Sequence, residues 1–381
     1  MKIVIAPDSF KGSLTALEAA RAMEAGVLRA CPDAQCVTVP MADGGEGTVR
    51  SMVDATGGRL ASARVTDPLG RSACAEYGIL GDGHTAVIEM AAASGLQYVD
   101  DATCSPLTAT TYGTGELIRD ALDRGVTDLI VGLGGSATND GGAGMAQALG
   151  VRFLDDHGES LPFGGGALAR LAKVDVSGMD ARLAGVRIRL ASDVTNPLTG
   201  PRGASLVFGA QKGASPAVAA QLDAALAHYA AVIRRQLGHD VETLPGAGAA
   251  GGLGAGFLAF TDAVMQSGVD VVVEATGLAA LARGADLCLT GEGRIDGQTR
   301  FGKTPVGVAR AVKSASPNCV VVALAGGVGD GVDQLYGLGI DAIFGILPGV
   351  ATLHDAMDQA ASHLESTACN VTRLLLRRAG E

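Results

Sequence analysis

Polar side chains able to do chemistry collect in five glycine-rich stretches of this sequence. PDSFKGS holds Asp8, Ser9, Lys11 and Ser13, and ADGGEGT holds Asp43, Glu46 and Thr48. GLGGSATNDGG carries Gly134, Gly135, Ser136, Thr138, Asn139 and Asp140, while SDVTNPLTGPRGA carries Asp193, Asn196, Thr199 and Arg202. The longest, TGEGRIDGQTRFGKTP, supplies Glu292, Arg294, Asp296, Gln298, Arg300 and Lys303. Each follows an apolar run that reads as a strand, and the carboxyl end of an open parallel sheet is where ligands bind. Glycine-rich turns at helix starts expose N–H groups to phosphate, Lys and Arg neutralise it, and paired carboxylates hold Mg2+ or take a hydroxyl proton. Those are the parts of a phosphoryl-transfer site. For any one loop a tight turn with an Asp or Asn cap is the simpler account, and Asp8, Asn139 and Asp140 are each placed to cap. Five loops of one kind favour the site.

Three short patterns refine this. GQTRFGKT at 297–304 fits G-x-x-x-x-G-K-[ST], but a strand ending near Thr290 would leave GEGRID before it, and a P-loop begins where its strand stops. Its acidic strand-end partner would have to be Asp193, which lies upstream. GAGAAG at 246–251 follows VETLP, not a strand, so it reads as a turn or a second phosphate nest. GLGGSA at 132–137 does follow a strand and precede a helix, the context of a nucleotide phosphate, with no acid at the end of the next strand to hold a ribose. The seven cysteines form no C-x-x-C pair and the six histidines no H-E-x-x-H, so neither a zinc site nor a disulfide frame is expected.

The elements that must carry these loops alternate. Residues 2–7 predict a buried strand, and SLTALEAARAMEAGVLRA a helix with Thr15 and Glu18 as a capping box, followed by a strand at 36–40. The same alternation returns late, with strands at 286–290, 319–325 and 342–347 around the helical PVGVARAVKSA and a shorter helix near DGVDQLYGLG. Between them, 73–80 and 85–90 predict a hairpin around GDG. Helices at 114–124 and 140–149, strands at 128–133 and 186–192, and helices at 216–237 and 253–267 follow. A chain of 381 residues exceeds one core. The expected class is α/β: a doubly wound parallel-sheet domain from residues 1–66 and 285–381, with a mixed α/β domain, 67–284, inserted.

Composition excludes several roles. With 48% apolar and 18% charged residues the chain has a large core to bury, so disorder is excluded. A net charge of −11, no Trp, and only 8 Phe and 5 Tyr leave neither the basic face nor the stacking platforms that nucleic acid needs. The opening MKIVIAPDSF is too short an apolar run for a signal sequence, and no membrane partner is expected, so the predicted location is cytoplasmic.

Six strings in order, APDSFKGS, PMADGGEGT, GLGGSATNDGG, ASDVTNPLTGPRGAS with FGAQKG, and LTGEGRIDGQTRFGKTP, resemble the bacterial glycerate kinase family over nearly the whole chain. The resemblance implies a flavodoxin-like domain built from both chain ends, an inserted α/β domain, and a site in the cleft between. It also implies phosphorylation of D-glycerate by ATP with Mg2+, giving 2-phosphoglycerate more than the 3-isomer. Within that frame Asp193 is favoured as acceptor of the hydroxyl proton, with Lys11 and Asp296 also catalytic. Asp43, Glu46 and Glu292 are the expected Mg2+ ligands. Asp8, Ser9, Gly134, Gly135, Ser136, Thr138, Asn139, Asn196, Lys212, Arg294 and Lys303 are expected to bind substrate or nucleotide. Two other readings stay open: a dehydrogenase of a small hydroxy acid with NAD at GLGGSA, and a metabolite-binding regulator that is not an enzyme.

Overall fold

The computed structural model describes residues 1–379, which divide into two units: Met1–Gly58 with the chain from Ser267 onward, and Arg59–Gln266. The strands in chain order are β1 (Lys2–Pro7), β2 (Gln35–Thr38), β3 (Arg59–Thr66), β4 (Ser72–Ile79), β5 (Thr85–Glu89), β6 (Asp128–Gly132), β7 (Arg152–Leu154), β8 (Lys173–Asp175), β9 (Arg187–Ala191), β10 (Val264–Gln266), β11 (Leu287–Ile295), β12 (Val320–Val328) and β13 (Ala342–Gly345).

In the first unit five parallel strands lie in the order β13-β12-β11-β1-β2. Counted within the unit this is 2-1-3-4-5, the flavodoxin-like order. The N-terminal strand pairs with a strand 284 residues away, Ile3 opposite Leu287 and Ile5 opposite Leu289. Ile3, Ile5, Leu287 and Leu289 share one face of the sheet, since alternate residues of a strand point the same way. That face is covered by the helices Ala16–Ala30 and Ala360–Ala379, which contribute Met23, Val27, Leu364 and Val371 to one core. The first helix starts at the capping box expected from the sequence: Thr15 Oγ1 accepts from the Glu18 N–H at 3.2 Å, and Glu18 accepts from the Thr15 N–H at 2.9 Å. A Cβ on Gly26 would strike the backbone at Glu365 and Cys369, so glycine lets the two helices touch.

β11 runs to Ile295, five residues past its expected end. GEGRI looks like a loop because of its glycines, yet Glu292, Arg294 and Ile295 pair with Ala325, Gly327 and Val328 of a β12 that is lengthened in step. A Cβ on Gly326 would meet the Gly293 carbonyl at 2.7 Å, so the glycines allow close pairing of strands here.

The second unit holds a six-stranded sheet, β10-β9-β6-β5-β4-β3, and the small pair β7-β8. β3 was not foreseen. It pairs antiparallel with β4 from Arg59↔Ile79 to Thr66↔Ser72, which draws residues 59–66 into this unit instead of the first. The helix expected over 253–267 is Ala249–Phe260, and Val264–Gln266 instead forms the edge strand beside β9. Residues 267–284, expected in the inserted domain, belong to the first unit. There the helix Gly268–Thr276 begins so close to the Asp43 carbonyl that no Cβ would fit at Gly268. Pro216–Leu237 is long and apolar enough to cross a membrane by length and composition. Its Leu222, Leu226, Tyr229 and Ile233 are fully buried in the core of its own unit.

Candidate active site

β1 and β11 are neighbours, but the chain leaves β1 towards β2 and leaves β11 towards β12, on opposite sides. Their carboxyl ends therefore open a crevice at the topological switch point. Asp8 follows β1 directly and its N–H donates to the Gly291 carbonyl at 2.8 Å, which sets Asp8 beside Glu292 at the mouth. Asp43 is brought to the same place because the chain after β2 stays paired to β1, the Met41 N–H donating to the Pro7 carbonyl at 2.9 Å.

Each carboxylate is held. Asp8 accepts from the Ser9 N–H at 2.6 Å and from the Thr304 hydroxyl. Asp43 accepts from the Gly45 N–H at 3.0 Å. Glu292 accepts from Thr299 Oγ1 at 3.0 Å and lies 3.6 Å from Lys303 Nζ. Burial pushes the Asp8 carboxyl up to about 6, the Thr304 hydroxyl opposing and the Asp43 charge adding. Burial likewise pushes Glu292 up to about 7, despite the Lys303 cation. Lys11 and Glu46 form a 3.3 Å ion pair with both side chains more than 80% exposed, so the pair adds little stability. Glu46 is exposed and paired with Lys11, unlike the more buried Glu292 among the acids expected to bind metal. All of these residues except Thr299 and Thr304 line one cavity of about 1060 Å3.

The rest of the long C-terminal stretch behaves differently. Asp296 accepts from the Gln298 N–H at 2.9 Å and pairs with Arg294 at 3.3 Å. Those contacts hold its carboxyl below the usual range, the opposite of what a base needs, so Asp296 caps a turn. With β11 ending at Ile295, GQTRFGKT does stand between a strand and a helix, and the spacing objection to a P-loop disappears. Four of its eight N–H groups are nevertheless spent within the protein: Gly297 donates to Asp330 at 2.8 Å, Gln298 and Thr299 to Asp296, and Phe301 to Gln298. A phosphate cradle needs those groups free. Thr304, in the Ser/Thr place of the pattern, holds Asp8 instead.

In the second unit, GLGGSATNDGG follows β6. Lys212 was expected to meet an anion, but it is 2% exposed and lies beneath this loop, donating to Ser136 Oγ and to the Thr138 carbonyl, both at 2.6 Å. Burial lowers its ammonium to about 7. Asp140 is fully buried and takes N–H groups from Thr111 at 2.8 Å, Gly142 at 3.1 Å and Gly144 at 3.2 Å, so the capping account holds for it. Asn139 donates to Ser205 Oγ at 2.8 Å, leaving Asn139 Oδ1 and Thr138 Oγ1 buried without a partner. Of this loop, only Gly134 and Gly135 face solvent. Asp193 follows β9 as an exposed residue, and Asn196 is tied to the Arg202 carbonyl at 2.7 Å.

Sequence reasoning missed Thr299 and Thr304, whose hydroxyls orient the two central carboxylates; the pattern match at 297–304 was the available signal. It also missed the apolar wall of the cavity, formed by Leu14, Ile346, Leu347, Leu353 and Met357, for which no polar signal exists.

Comparisons with known proteins identify the family. The model of the Glycerate kinase family matches residues 3–376. The Glycerate kinase of Bacillus subtilis (strain 168) is 53% identical over 371 residues, covering 97% of each chain. The Glycerate 2-kinase of Escherichia coli (strain K12) is 50% identical over 383 residues, covering 100% of both. Among solved structures, the protein assigned as glycerate kinase 2 from Salmonella typhimurium LT2 superposes with a TM-score of 0.92 at 50% identity, covering 100% of each chain. With half of the residues kept across the full length, the chain belongs to the glycerate kinase family and is an enzyme of that type.

Proposed function

We propose that the protein transfers the γ-phosphoryl group of ATP to D-glycerate, forming 2-phosphoglycerate, with Mg2+ assistance and with Asp8 as acceptor of the hydroxyl proton. The observation that carries the reading is the pair Asp8 and Glu292, two partly buried carboxyls with raised pKa at adjacent strand ends, with Lys303 against the second. A base works best when its pKa lies near the working pH, and Asp8 at about 6 meets that condition. Asp193 is the competing acceptor, at the end of β9 in the other unit, where it is exposed to solvent.

Among the described residues no group of three or more His, Cys, Asp or Glu forms a ready cage for a metal. Mg2+ does not need one, since it keeps waters and takes one or two carboxylates together with substrate phosphates. Asp43 and Glu292 fit that pattern. When bound, the cation would neutralise charge on the transferring phosphoryl group. The chain's own residues do the rest. Thr304 orients Asp8, Thr299 orients Glu292, and Lys303 brings positive charge to a site otherwise rich in carboxylates. The name of the Escherichia coli relative supports the 2-isomer as product. Release of ADP from ATP and Mg2+ that depends on D-glycerate, followed by phosphorus NMR of the product, tests the proposal. No release above the glycerate-free background, or a 3-phosphoglycerate signal, refutes the corresponding part.

A further inference from the structure

The cavity of the first unit is chemically two-ended. One end holds Asp8, Asp43, Glu292 and Lys303. The other is a groove between the turn Phe10–Leu14 and the segment 346–357, walled by Leu14, Ile346, Leu347, Leu353 and Met357. The turn and the segment are fastened together, Ser13 Oγ donating to the Met357 carbonyl at 2.5 Å. Gly12, at φ +78°, carries no Cβ where one would sit 2.8 Å from Met357 Cε, so the backbone presses directly on the methionine. Leu353 is 76% exposed and Leu347 37%, although both are large and apolar.

Glycerate, a three-carbon acid with two hydroxyls, has no apolar face to lay against such a wall. At about 1060 Å3 the cavity also slightly exceeds the roughly 300–1,000 Å3 that encloses a drug-sized ligand. The groove adjoins the carboxylates through the short run Asp8–Phe10, so a ligand filling both ends has an apolar body and a polar tail that reaches Lys303 and the carboxylates. We infer that this groove is the base subsite of the phosphoryl donor, with Leu353 and Met357 against the face of a purine, so that the unit built from both chain ends carries the nucleotide. The inference rests on the ATP-dependent reading above and adds to it where the nucleotide lies.

The test compares ligands with and without a base. ADP and inorganic triphosphate are titrated with Mg2+ into the full chain, and ATP and D-glycerate KM values are measured, for the unaltered protein, Leu353→Asp and Leu353→Met. Leu353 is exposed, so the aspartate variant should fold, and circular dichroism verifies it. Loss of one apolar contact face should weaken ADP binding and raise the ATP KM by about tenfold. Inorganic triphosphate binding should stay within twofold, and Leu353→Met should restore ADP binding. Equal weakening of ADP and triphosphate, or unchanged ADP affinity in Leu353→Asp, overturns the inference. So does loss of ADP affinity in Lys212→Met alone, which places the nucleotide on the other unit. Failure of the kinase reading is a separate result: no glycerate-dependent ADP release from the unaltered protein.

Discussion

Asp8 and Glu292 lie at the carboxyl ends of neighbouring parallel strands, locked in register by the 2.8 Å hydrogen bond from the Asp8 N–H to the carbonyl preceding Glu292. One residue comes from the eighth position of the chain and the other from its last quarter, so only the closed sheet unites them. Both carboxyls are raised by burial, and each is steadied by a threonine hydroxyl from the 299–304 segment.

The first prediction follows from which acid accepts the proton. Asp8→Asn should lower kcat by ~10² to 10⁴, the usual worth of a general base, with a small change in the D-glycerate KM. Asp193→Asn should lose less than about tenfold by the same scale. Steady-state kinetics on both variants decides. If Asp193→Asn shows the large loss and Asp8→Asn the small one, the roles are exchanged.

The reach of the sequence can be judged at this pair. The chain pattern located both strands and both acids, since an apolar run ending in a glycine-rich polar stretch is a local signal. Their adjacency is non-local, and no spacing within the chain encodes it. Glycine proved ambiguous for the same reason: at 291 and 326 it permits strand pairing, at 12 it permits contact with Met357, and in both places the sequence looks like a loop. Lys212 shows the limit for charge, because a lysine beside glycines reads as an anion contact until its burial under Ser136 and Thr138 is visible. β3 was missed because its alternation is weak: the exposed Arg59 and Arg64 fall on opposite faces of the strand, Arg59 on the same face as the buried Ala61 and Val65.

A second prediction concerns Thr304. Its hydroxyl bonds to Asp8 and opposes the rise in the Asp8 pKa. Thr304→Val removes that hydrogen bond while keeping shape, so the Asp8 carboxyl should rise further. The acidic limb of the kcat/KM profile should then move to higher pH than in the unaltered protein. An unmoved limb with unchanged folding would show that Asp8 is not the titrating base.

Metal-free stability should also report these carboxyls. The folded pKa values of Asp8 and Glu292 are raised, to about 6 and about 7 from 3.8 and 4.5, so the folded state binds more protons than the unfolded state between those limits. Their contribution is full at low pH and is lost as the pH climbs from about 4 to about 7. Urea midpoints measured across that window, without divalent cations, should show Glu292→Gln with a smaller downward slope than the unaltered protein. Parallel slopes would mean that Glu292 is not desolvated in the folded state.

Lys212 predicts the reverse slope at higher pH. Its ammonium is lowered by burial from 10.5 to about 7, so over that interval the unfolded chain binds the extra proton. Its contribution to stability should therefore rise as the pH climbs from about 7 towards 10.5, and the charged form is the one the fold disfavours. Two hydrogen bonds, to Ser136 Oγ and the Thr138 carbonyl, offset part of that cost and tie the GLGGSAT loop to the chain around 212. Lys212→Met keeps the stem, removes the proton linkage, and leaves Ser136 Oγ and the Thr138 carbonyl without their donor. Thiols such as Cys36 and Cys319, raised by burial to about 11, lower stability over the same range in both proteins. The difference in urea midpoint between the unaltered protein and the variant should therefore grow in favour of the unaltered protein from pH 7 to pH 10. A constant difference would show that Lys212 carries no linkage, and that its ammonium is solvated in the folded state.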